Sequence, residues 1–76
     1  MNEQLAAEVI RRSLSVTAEL DDLVRLARDS RMEDEEYQHF RRTMGRAMGE
    51  LYVELLLPLF KTYPHLAPDD LAPPAL

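Results

Sequence analysis

The stretch Arg28–Tyr37, RDSRMEDEEY, separates two long apolar-patterned segments of the 76-residue chain, and its shortness decides the fold. Ser30 followed by Glu33 fits a capping box, and the acidic run Glu33–Glu36 suits the positive end of a helix starting there. One helix can therefore end near Arg28 and the next begin near Arg31. Helices joined this closely bury their apolar faces against each other only by lying antiparallel. The sequence thus predicts an all-α fold, an antiparallel two-helix hairpin over residues 1–63, followed by a proline-rich tail over residues 64–76.

Upstream of the turn, helix 1 is expected over residues 2–28. Asn2 suits the N-cap, Glu3 the first turn, and Arg25 and Arg28 the last turn, where cations oppose the helix dipole. Ala6, Val9, Ser13, Val16, Leu20, Leu23 and Ala27 recur at alternating spacings of three and four, the pattern of a seam. Ala7, Ile10, Leu14 and Ala18 form a second stripe beside it.

Downstream, helix 2 is expected over residues 31–62, with Tyr37, Phe40, Met44, Met48, Leu51, Leu55 and Leu59 as its stripe. Pro58 has no N–H for the carbonyl of Glu54 and should kink or restart the last turn. In the tail, Pro64 should end helix 2. Pro68 with Asp69 and Asp70 reads as a single helical turn at 68–72, with Leu66 and Leu71 pinning it to the bundle. Disorder is expected beyond Ala72.

Both glycines of the chain, Gly45 and Gly49, lie inside helix 2. Each costs about 1 kcal/mol of helix propensity. On a helical wheel they share a flank with Tyr52, Leu56 and Phe60, roughly a quarter turn from the main stripe. Folding the hairpin at its turn brings that flank level with Ile10 and Leu14. An apolar end this broad exceeds what one partner helix covers, and such a patch marks an interface. The expected interface is therefore Ile10, Leu14, Gly45, Gly49, Tyr52, Leu56 and Phe60, with the glycines permitting close backbone approach. Two hairpins joined there make a homodimeric four-helix bundle.

Composition narrows the function. A chain this short has a marginal core, and with no cysteine it has neither disulfides nor thiolate zinc sites; oligomerisation remains. Fourteen acidic against nine basic residues give a formal net charge of −5, which disfavours nucleic acid and anionic membranes as partners. The N-terminal residues do not read as a secretory signal, and the apolar run Leu55–Phe60 is too short to span a bilayer. A cytoplasmic setting is the expectation.

Three chemical readings compete with an interaction module. Glu36 and His39 carry the Glu-x-x-His spacing of di-iron carboxylate bundles, with Glu19 as a conceivable further ligand. The wheel puts both opposite the Tyr37–Phe40–Met44 stripe, so a solvated polar face is expected instead. Arg11, Arg12, Arg41, Arg42 and Arg46 offer anion-binding pairs, as in enzymes built on arginines in a helical dimer; Glu8, Glu50 and Glu54 are placed to partner them along the helices. No arrangement sets a histidine beside a nucleophilic hydroxyl: Ser13 falls in the seam, Ser30 in the turn, His65 in the tail. The sequence therefore predicts a small acidic interaction or assembly module, with no catalytic, metal or cofactor residues, whose partner is a second copy of itself or another protein.

Overall fold

The computed structural model describes residues 1–71, and every regular element among them is helical. Helix α1 runs Glu3–Asp29 and α2 runs Asp34–Leu51. A π-helical turn, Tyr52–Leu56, leads without a break into α3, Leu57–Thr62. Two 3-10 turns follow, Pro64–Leu66 and Asp69–Leu71. The two long segments pack against each other as a hairpin, within overall extents of 44 × 25 × 19 Å. The disorder expected beyond Ala72, and the last residue of the turn expected at 68–72, lie outside the described residues.

Local chemistry accounts for the helix ends. The Asn2 side chain accepts a hydrogen bond from the Leu5 N–H at 2.8 Å, which satisfies one orphan donor of the first turn. Ser30 departs from its expected part. It closes α1 instead of opening α2: its N–H and its hydroxyl both donate to the Ala27 carbonyl, at 3.3 and 2.8 Å. Helix α2 consequently starts three residues later than expected, with Glu33 as an N-cap that makes no side-chain hydrogen bond. Asp34, Glu35 and Glu36 then occupy its first turn and complement the dipole.

The seam of α1 is rotated from its expected position. Ala6, Ser13 and Ala27 are buried and Leu20 is half-buried, but the positions between them are filled by Ile10, Thr17 and Val24 rather than Val9, Val16 and Leu23. Both sets complete an alternating three-four repeat with the shared residues. The chosen set is less apolar, so apolarity does not decide between them; the far end of the hairpin does. There Ile10 meets Leu56 and Phe60 in the core cluster. The close packing face of α1 carries small buried residues at Ala6, Ser13 and Ala27, three of the four positions of a seven-residue repeat whose remaining member is the half-buried Leu20, and these let the neighbouring helix approach.

The π turn explains why Leu56 and Phe60 reach that cluster. The Leu57 N–H donates to the carbonyl of Tyr52, five residues back. One extra residue in the turn sets the following side chains back by about 100°. A regular helix would carry Leu56 and Phe60 on the glycine flank; the wider turn swings them into the seam, where both are buried, while Leu55 and Leu59 are half-buried. Pro58 supplies the physical reason. It has no N–H, and its ring would press on the carbonyl one turn back, so the chain relieves the conflict by widening the turn just ahead of it.

The tail completes this end. Leu66, Ala67 and Leu71 pack on the Ile10–Leu56–Phe60 cluster beside Leu14, Tyr52 and Leu59. The Leu71 N–H donates to the Pro68 carbonyl at 2.9 Å, forming the short turn that brings Leu71 inward. Tyr63 donates its hydroxyl hydrogen to the Met1 carbonyl at 2.9 Å, and the His65 ring meets the Glu3 carboxylate, so the tail is tied to the start of α1.

Candidate interaction surface

Helix α2 has no buried residue. Tyr37, Phe40, Met44, Met48 and Leu51, its whole apolar stripe, are only half-buried against α1. A single layer of two helices encloses a side chain poorly, because each seam is open above and below the line of contact. Only where the tail adds a further layer do large side chains become fully enclosed, and Phe60 is the one that does.

The seven residues expected as an interface are distributed by the structure into three environments. Ile10, Leu56 and Phe60 are buried in the chain's own core. Leu14 and Tyr52 are half-buried against that core, and the Tyr52 and Phe60 rings lie tilted at 59° with centroids 6.5 Å apart. Gly45 and Gly49 remain on the surface, where an added Cβ at either position would meet nothing within 4 Å. Close approach within the hairpin is thus made by the small residues of α1, and the glycine positions of α2 are open. The tail packs on the Ile10, Leu56 and Phe60 part of the face that the sequence assigned to a partner, beside Leu14 and Tyr52, and leaves its glycine part open.

A different apolar surface is left uncovered. Leu5, Val16, Leu23 and Leu26 on α1 are 51%, 51%, 43% and 67% exposed. With the half-buried Val9, they lie on one side of the helix, about half a turn from the Ala7–Leu14–Ala18 flank. These include the residues displaced from the expected seam, so the sequence carried the signal: a second three-four repeat runs alongside the first. Val53, at the far end of the second helical segment, is also exposed.

The polar groups form local pairs. The Glu8 carboxylate accepts hydrogen bonds from Arg11 and, at 2.7 Å, from the Arg12 Nε. These bonds, Arg11 first and Arg12 second, hold its pKa at about 2, and the Arg11 guanidinium is correspondingly raised. Arg25 pairs with Asp21 and Asp22 one turn back, at 2.7 and 3.1 Å. Arg41, Arg42 and Arg46 are exposed on α2, where Arg42 donates to the Gln38 carbonyl and borders a shallow groove with Asp34, Glu35 and Gln38. Glu36 and His39 are both exposed. Among the described residues, no three histidine or acidic side chains converge on a metal-sized space, and no helix is long and apolar enough to cross a membrane.

Compared with protein-family models, curated proteins and solved structures, the chain matches none.

Proposed function

We propose that this protein is a protein–protein interaction or assembly module whose working form is a homodimeric four-helix bundle. The observation that carries the reading is that α2, eighteen residues long, buries none of the five apolar side chains in its stripe. Half-covered seams on a two-helix layer are completed when a second layer is laid against the first, which is how four-helix bundles acquire their interior. The exposed apolar side of α1 adds to the surface that a second layer would cover. The module acts through its helical surface as a small acidic adaptor, regulator or assembly subunit, and its chemistry is recognition rather than turnover.

The test is mass in solution. Sedimentation velocity across nanomolar to high micromolar concentration should show the chain passing from monomer to a species of twice its mass, with helical content retained. A folded monomer throughout that range would overturn the reading.

A further inference from the structure

The exposed side of α1 is a second heptad stripe: Leu5, Val9, Arg12, Val16, Glu19, Leu23 and Leu26, at spacings of four, three, four, three, four and three. Five of the seven are apolar, and the two charged positions stand symmetrically about Val16, a basic residue on one side and an acidic residue on the other. Read backwards, the stripe presents the same succession of apolar and charged positions, with the signs of charge exchanged. We infer that α1 pairs with the α1 of a second copy, antiparallel, about a two-fold axis passing near Val16.

Charge selects both the partner and its direction. Antiparallel pairing sets Val16 against the partner's Val16, Val9 near the partner's Leu23, and Leu5 near the partner's Leu26. Arg12 then falls beside the partner's Glu19, and Glu19 beside the partner's Arg12. Parallel pairing in register would set Arg12 against Arg12 and Glu19 against Glu19, a like-charge arrangement that disfavours it. Both central groups are accessible: Arg12 and Glu19 are exposed, and among the described residues no ion pair involves Glu19. The stripe is about 32 Å long from Leu5 to Leu26 at the rise of an α-helix. It leaves the tail and the Ile10–Leu56–Phe60 core undisturbed.

This pairing rests on the homodimer reading above, and the experiment separates the two. Arg12→Glu and Glu19→Arg are made singly and together, and the dimer dissociation constant is measured by sedimentation, with circular dichroism confirming the helices. Each single reversal should weaken the dimer about tenfold, and the double exchange should return it to within about threefold of the parent. Because the chain has no cysteine, Val16→Cys and Gly49→Cys give clean crosslinking probes. On mild oxidation Val16→Cys should form a covalent dimer, since residues at the axis come within disulfide reach, while Gly49→Cys should not. A parent that dimerises unaffected by either reversal overturns the α1 pairing and leaves the homodimer standing. Crosslinking through Gly49→Cys but not Val16→Cys does the same and assigns the interface to the glycine flank. A parent that stays monomeric overturns both.

Discussion

At its open end the hairpin is three segments deep, and at its turn end it is two. The open end gathers Ile10 from α1, Leu56 and Phe60 from beyond the π turn, and Leu66 and Leu71 from the tail. The turn end holds Leu23 and Leu26 out to solvent, leaves Phe40 half-buried, and buries only Ala27 among its apolar side chains. Helix regularity does not account for the contrast, since the irregular π turn lies at the better-covered open end. What differs is the number of directions from which a side chain is covered, and that number sets where the folding energy resides.

The sharpest way to break this contrast is Phe60→Ala. Phe60 is fully enclosed, and removing a buried aromatic side chain costs about 3–5 kcal/mol. In a chain of this size that is comparable to the whole stability, so urea or thermal melts should show the variant largely unfolded. Met44→Ala, at a half-covered position of α2, should cost roughly half as much or less. Equal losses at the two positions would mean that the ends do not differ in the way described.

A second test removes the cover without touching the helices. Leu66→Ala with Leu71→Ala takes two half-buried side chains off the cluster and should cost about 2–3 kcal/mol together. The loss should appear as a lower melting midpoint with unchanged helical signal at low temperature. A variant as stable as the parent would show that the tail merely lies on the core.

Much of this contrast was legible in the sequence, and the part that was not has identifiable causes. The short connection implied the hairpin, Asn2 announced the start of α1, and Pro68 with two aspartates announced the last turn. Ser30 was misread because a serine followed three residues later by glutamate satisfies the rule for opening a helix, while the same serine can also close one through the Ala27 carbonyl. The seam of α1 was ambiguous because two residue sets share Ala6, Ser13, Leu20 and Ala27, and in the more apolar set Val16 and Leu23 stay exposed while Val9 is half-buried. That ambiguity is settled by the register of Leu56 and Phe60, which depends on the π turn. Pro58 signalled a disturbance, but widening, kinking and restarting a helix are equally compatible with a proline, and only widening moves these two side chains into the seam.

Gly49 offers a third and smaller test, of the surface between the two ends. An added Cβ there meets nothing within 4 Å, so Gly49→Ala should gain up to about 1 kcal/mol from helix propensity alone. For a domain of this size that raises the melting midpoint by about 4–8 °C. Gly49→Leu should melt higher than the parent as well and, under the proposed pairing through the α1 stripe, dimerise as tightly. A Gly49→Leu variant that folds but loses its dimer would move the interface to the flank.

The smallest expected effect is electrostatic and lies at the start of α1. Glu8 titrates near 2, below its ordinary value of 4.5, because Arg11 and then Arg12 donate hydrogen bonds to its carboxylate. A carboxylate depressed in the folded chain contributes stability that is fully present above its ordinary pKa and is lost as pH falls toward 2. The group is open to solvent, so the contribution is small and screened by salt. Melting the parent beside Glu8→Gln at low ionic strength should show the two curves farthest apart near pH 6 and converging near pH 2. The same variant also bears on the pairing of α1. Glu8 holds Arg12 within one chain, whereas the partner's Glu19 would hold it across two, so the carboxylates compete for one guanidinium. Replacing Glu8 should therefore lower the stability of the monomer slightly while leaving the dimer as tight as before or tighter. A dimer weakened in proportion to the monomer would mean that Arg12 has no second carboxylate to turn to, and the antiparallel arrangement would lose its central ion pair.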